Sequence, residues 1–148
     1  MQLDELYRQV IMDHYQRPRN EGTLENGTVS VALRNPSCGD ELTLQLSVKD
    51  GIVDDVRFKG SGCSISIAST SMMTETIKGK SLEDALELSK EFRAMMRGED
   101  VDDEALGDLE SLHGVCKFPA RIKCATLAWQ ALEQAIKTED HEHAHHHD

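Results

Sequence analysis

Apolar residues recur at two different periods along this chain, and the change of period divides it. From Leu3 to His14 the apolar positions Leu3, Leu6, Tyr7, Val10 and Ile11 follow three- and four-residue steps, which predicts an amphipathic helix. Arg17-Pro18-Arg19-Asn20-Glu21-Gly22 ends it. Val29, Val31 and Leu33 then alternate with small or polar residues, as do Leu42, Leu44, Leu46 and Val48, the period of strands with one buried face. Asp50-Gly51 carries the chemistry of a tight hairpin turn, and Ile52 to Lys59 reads as a third strand, so an antiparallel meander is predicted.

Beyond Gly60-Ser61-Gly62 the period becomes helical. Ile65, Ala68, Met72, Met73 and Ile77 predict a buried helix over 63–78. Ser81, with Asp84 three residues on, reads as the cap of a further helix carrying Leu82, Ala85, Leu86, Leu88, Phe92, Met95 and Met96. Gly98 to Asp103 reads as an acidic loop, followed by a short helical piece around Glu104 to Leu112. Pro119 is suited to the first turn of the last helix, where its missing N–H costs nothing, and Cys124, Leu127, Ala128, Ala131, Leu132 and Ala135 line one of its faces. Strands first and helices afterwards define an α+β class, a small antiparallel three-stranded sheet packed against about five helices. One domain is expected over residues 1–138, and 139–148, with five of the seven histidines among acidic residues, is expected to be a disordered tail.

Composition narrows the function. A chain of 148 residues buries enough surface to fold without disulfides. Its 16 basic and 27 acidic residues leave a formal charge of -11, which repels nucleic acid and acidic membranes, with Arg17, Arg19 and Arg121/Lys123 as local exceptions. Asp4, Glu5 and Arg8 interrupt the N-terminal apolar pattern and no run reaches transmembrane length, so a cytoplasmic location is expected. In that compartment four cysteines are better read as thiolate ligands or redox groups than as disulfides.

Candidate chemistry gathers at Asn35-Pro36-Ser37-Cys38-Gly39-Asp40, where a cysteine and a carboxylate share one turn between two strands. Cys63 follows a glycine-rich corner and Cys124 falls in the first turns of a helix, a setting that favours thiolate. Cys38, Asp40, Cys63 and Cys124 are separated by 1, 22 and 60 residues, so no local zinc-finger spacing is present. Spacing alone leaves two readings open, one shared metal site or unrelated core thiols with Asp40 a turn-former. Arg121, one turn before Cys124, is a candidate for stabilising a thiolate or touching a partner, and equally for a solvated helix end. Cys116 reads as a non-ligand, His14 as a packing or surface residue, and His113 as a helix-end residue. The tail run His141-Glu142-His143-Ala144-His145-His146-His147 offers imidazoles for loose Zn2+ or Ni2+ binding.

Three of these stretches carry a family resemblance. Asn35-Pro36-Ser37-Cys38-Gly39-Asp40, Gly60-Ser61-Gly62-Cys63-Ser64-Ile65-Ser66 and Arg121-Ile122-Lys123-Cys124-Ala125-Thr126-Leu127-Ala128-Trp129 resemble, in order, the three cysteine motifs of the U-type iron-sulfur assembly proteins, the IscU/NifU N-terminal-like family. The likeness runs from about Leu3 to Ile136 and implies a SufE/NifU-like fold. The scaffold branch has a histidine immediately before the third cysteine, where Lys123 stands here, and it lacks the extra residues placed around Gly98 to Leu112. Both departures resemble the SufU-type, zinc-dependent sulfurtransferase branch.

That resemblance implies one Zn2+ per chain held by Cys38, Asp40, Cys63 and Cys124. It also implies a SufS-like, pyridoxal-phosphate cysteine desulfurase partner, a histidine of which displaces Cys38 from the metal. Cys38 then accepts persulfide sulfur, which is relayed toward SufBCD-like assembly machinery. An iron-sulfur cluster belongs only to the alternative reading, a scaffold using the same cysteines, against which Lys123 argues because a protonated amine offers no lone pair. A purely structural zinc module is the third reading.

Overall fold

The computed structural model describes residues 3–25, 27–35, 39–101 and 103–145. Helix α1 (Leu3–Gln16) is followed by strands β1 (Val29–Asn35), β2 (Asp40–Lys49) and β3 (Ile52–Ser61). Then come helices α2 (Ser64–Ile77), α3 (Leu82–Met96) and α4 (Asp103–Leu106), a 3-10 segment (Gly107–Lys117) and the long helix α5 (Pro119–His145). The strands form one antiparallel sheet in the order β1-β2-β3. This is the predicted α+β class, a small three-stranded sheet under helices.

Alternation along the strands decides what the sheet buries. On β2, Leu42, Leu44 and Leu46 face the core, and the same two-residue period carries the buried face back to Asp40 at the start of the strand. Asp50 and Gly51 both take positive φ, 54° and 75°, as a two-residue hairpin matched to strand twist requires. A feature that alternation did not foresee is the register shift at Ser47/Val48. Ser47 pairs with Asp55 but Val48 with Val53, so Asp54 is the extra residue and Val53, Val56 and Phe58 all reach the core.

Helix α2 is enclosed on nearly every side: Ser66 to Thr74 are all buried. Its hydroxyls avoid the cost of burial by bonding locally or across helices. Thr70 Oγ1 donates to the Ser66 carbonyl at 2.8 Å, and Thr74 Oγ1 to the Ser71 carbonyl at 2.7 Å. Ser69 Oγ donates to the Ala125 carbonyl at 2.7 Å and accepts from Trp129 Nε1–H at 3.2 Å, tying α2 to α5. Trp129 in turn stacks on Phe92 of α3, with ring centroids 4.8 Å apart and planes 16° from parallel. The core closes under the 3-10 segment, where Leu109 and Leu112 are fully buried beside Leu106 of α4.

The predicted caps are in place. Ser81 accepts from the Asp84 N–H at 3.0 Å at the start of α3, and Pro119 opens α5. The end of the chain differs from the expectation. Instead of losing structure at Glu139, the α5 backbone stays helical to His145, and 146–148 lie outside the described residues. No glycine or proline interrupts 120–145, and a helix already nucleated extends at little cost per residue.

Helices α3 and α5 are also joined by a polar clasp. Arg93 donates from Nε and Nη2 to the two oxygens of Glu133 at 2.7 and 2.8 Å, and Ser89 Oγ adds a third bond. Burial opposes ionisation of Glu133, but the bonds from Arg93 and Ser89 outweigh it and hold the carboxyl below its ordinary range. A carboxyl lowered in the folded state stabilises above its unfolded value and loses that contribution as pH falls through the folded one. Glu133→Gln should therefore cost about 1 kcal/mol near neutral pH. Urea unfolding should show the gap from wild type closing as pH falls below about 4; a gap independent of pH would assign the clasp no ionic contribution.

Candidate metal centre

Asp40, Cys63 and Cys124 come from three elements and meet at one point. A ligand atom of each lies within 4.8 Å of the others. Asp40 arrives as the first residue of β2, on the face shared with the core leucines, and is completely buried. Cys63 is the residue that caps α2, with extended backbone (φ -73°, ψ 168°) and a side chain that makes no capping bond, so its sulfur stands at the positive end of the helix. Cys124 lies in the second turn of α5, 2% exposed, and its Sγ is 3.7 Å from the Ala120 carbonyl. The Ser69–Ala125 bond, one residue along, holds that turn of α5 against α2.

The glycine corner explains how a strand end and a helix start come so close. A Cβ on Gly60 would stand 2.4 Å from the Glu41 carbonyl oxygen, and one on Gly62 would stand 2.3 Å from Asp40 Oδ1. Only glycine lets β3 pass over β2 here. The approach brings the Cys63 N–H to Asp40 Oδ1, a bond of 3.1 Å. Among the described residues, Asp40 Oδ2 is buried without a hydrogen-bond partner.

The donors fit a metal ion. A buried carboxylate oxygen with no proton donor beside it is costly, and a cation bound by this carboxylate would offset that cost. One oxygen and two sulfurs, from a buried aspartate, a buried cysteine and a half-buried one, suit a thiophilic tetrahedral ion such as Zn2+ that needs one more ligand.

Cys38 and its neighbours Pro36 and Ser37 lie outside the described residues. The flanks are defined: Asn35 pairs with Asp40, the Gly39 N–H donates to the Asn35 carbonyl at 2.9 Å, and Gly39 has φ +72°. Four residues, 36–39, therefore bridge β1 to β2, and Cys38 stands two residues before Asp40 in the chain.

The remaining candidates are not brought into this cluster. Arg121 is exposed on the first turn of α5. Lys123 is exposed too and lines a shallow groove with Arg34, Asn35, Thr126, Leu127 and Gln130, beside the end of β1. Cys116 is half-buried in the 3-10 segment, and His113 is exposed there. None of Cys63, Cys116 and Cys124 is in a disulfide. His14, read from sequence as a packing or surface residue, is 1% exposed and meets Glu75 and Asp108. That second cluster was missed, because α1 shows nothing of what the 3-10 segment lays against it.

Similarity to known proteins agrees with this architecture. The chain belongs to the NifU-like N terminal domain family, whose model matches residues 6–144. It is 57% identical to the zinc-dependent sulfurtransferase SufU of Bacillus subtilis (strain 168), covering 93% of this chain and 94% of that one. It is 48% identical to the iron-sulfur cluster assembly scaffold protein IscU of Streptococcus pyogenes serotype M1, covering 91% and 85%. Among solved structures it resembles one described as an iron-sulfur cluster assembly scaffold protein for the SUF system from Fervidobacterium islandicum AW-1. That match has a TM-score of 0.84 and 38% identity, covering 91% of this chain and 99% of that one. No described helix is long and apolar enough to cross a membrane.

The glycine corner provides a direct test. Gly62→Ala should push the Asp40 carboxylate aside and destabilise the fold by about 1–3 kcal/mol. Zinc retained against a competing chelator should fall about ten-fold or more. Retention equal to wild type would show that the carboxylate does not hold the metal.

Proposed function

We propose that this chain is a zinc-dependent sulfurtransferase that accepts sulfur from a cysteine desulfurase on Cys38, stimulates that enzyme, and relays the sulfur to iron-sulfur cluster assembly. The observation that carries the reading is the convergence of Asp40, Cys63 and Cys124, with one Asp40 oxygen buried and without a hydrogen-bond partner among the described residues. The relation to the Bacillus subtilis protein supports the activity. Asp40, Cys63 and Cys124 would hold one Zn2+ per chain, with Cys38 as the fourth ligand. When bound, the metal keeps the cysteines deprotonated at neutral pH, the state in which a thiol is a nucleophile.

The chain's own residues then divide the work unequally. Asp40, Cys63 and Cys124 are carried by a strand, a helix start and a helix, so they stay in place. Cys38 belongs to a short connection, and departure of its thiolate leaves the Asn35–Asp40 pairing behind it intact. The Cys38 thiolate attacks the outer sulfur of the desulfurase persulfide. A sulfur–sulfur bond forms at Cys38, the bond to the desulfurase cysteine breaks, and that cysteine leaves as a thiolate, so no external oxidant or reductant is needed. Arg121, exposed one turn before Cys124, is assigned to contact with the partner surface. A SufS-like desulfurase as donor and SufBCD-like machinery as recipient complete the proposal.

A scaffold role is the second reading, favoured by the name of the Streptococcus relative. Against it, Lys123 stands exposed where an imidazole ligand would be needed, and its ammonium has no lone pair to offer.

Cys38→Ala should fold normally yet leave cysteine turnover by the desulfurase at the rate seen without this protein. Alanine release, measured alongside zinc content on one preparation, checks this. Stimulation equal to wild type would remove Cys38 from the mechanism. Anaerobic reconstitution that yields a stable cluster transferable to an apo-ferredoxin would favour the scaffold.

A further inference from the structure

Away from the cysteines, a second set of metal-ligating side chains converges where α1, α2 and the 3-10 segment meet. His14 is 1% exposed, and its Nε2 lies 3.2 Å from Asp108 Oδ2 and 3.8 Å from Glu75 Oε1. The three donor atoms all lie within 4.8 Å of one another. We infer that His14, Glu75 and Asp108 form a second site for a divalent cation, of the harder class that accepts one imidazole, two carboxylates and water.

The imidazole is pre-positioned for this. Its Nδ1 is 2.8 Å from Ser71 Oγ, and Ser71 Oγ accepts the Arg19 N–H at 2.9 Å, so the ring is locked from behind. A ring whose far nitrogen is held by a hydrogen-bonding partner, with the near one turned toward carboxylates, is the usual arrangement of a ligating histidine. Charge balance points the same way. Glu75 and Asp108 converge on one nitrogen, which carries at most one proton, and among the described residues neither carboxylate pairs with a lysine or arginine. The imidazolium form still leaves negative charge there, in a chain whose formal charge is -11. Donors around a six-coordinate ion with bonds of about 2.1 Å lie about 3.0 Å apart when adjacent and about 4.2 Å apart when opposite. The observed separations need only small rotations of Glu75 and Asp108, whose side chains are 47% and 62% exposed and open to water.

Two carboxylates and no sulfur separate this site by chemistry from the cysteine cluster, so Mn2+ is a selective probe. In the zinc-loaded, full-length, 15N-labelled chain, added Mn2+ should broaden the amides of His14, Ser71, Glu75 and Asp108. It should do so at a concentration about ten-fold below that needed at the exposed acidic pair Glu83 and Asp84 of α3. In Glu75→Gln/Asp108→Asn, whose changes are at exposed positions, that advantage should vanish while core resonances and zinc content stay as in wild type. Residue-resolved broadening also separates this site from the histidines of the tail. Broadening around His14 at the same Mn2+ concentration as at Glu83 and Asp84, or unaltered in the double variant, would overturn the inference and leave the cluster as a hydrogen-bonded packing contact.

Discussion

A single buried carboxylate constrains this structure more than any other group. Asp40 shares a strand face with Leu42, Leu44 and Leu46, so the geometry that buries three leucines buries a carboxylate with them. Desolvating that group is unfavourable by several kcal/mol unless its oxygens are satisfied. One oxygen takes the Cys63 N–H; the other has no hydrogen-bond partner among the described residues, and a carboxylate oxygen of Asp40 lies within 4.8 Å of both sulfurs. The glycines at 60 and 62, the half-buried helix start at Cys63 and the placement of Cys124 all serve this one requirement.

The cluster holds its shape because α2 does. Its buried serines and threonines are bonded within the helix and across it, and Ser69 reaches both Trp129 and the carbonyl next to Cys124. Packing and the position of these side chains are thus one network: the Phe92–Trp129 stack sets α5 against α3, and the same helix carries Cys124 to Cys63 at the start of α2. The 3-10 segment completes the enclosure with Leu109 and Leu112, and brings Asp108 to His14.

Much of the fold was legible where one local rule decides. Asp50-Gly51 needed left-handed backbone at both positions and has it. Ser81 and Pro119 marked helix starts through a hydrogen bond and a missing one. Two of the three strands followed from alternation, and the third from the hairpin turn that precedes it. Where several elements decide together, the sequence was less readable. The extra residue at Asp54 sits in an ordinary run of β3 and shows itself only through pairing with β2. The helical backbone through residues 139–145 depends on continuity with a packed helix, whereas acidic and histidine-rich composition alone suggested a tail without structure.

For the site, the sequence by itself determined the types of the candidate donors, the family and the ends of the elements that bear them, because these rest on residue chemistry and local backbone preference. It did not determine that the residues meet: 22 and 60 intervening positions hold no information about distance until a sheet and two helices fold them back. Only the tertiary structure decided that Asp40, Cys63 and Cys124 come together at one point, and that His14 lies against Glu75 and Asp108. The physical reason is the same in both places. A donor's chemistry is carried by its own residue, but its partners are set by which faces the core forces together.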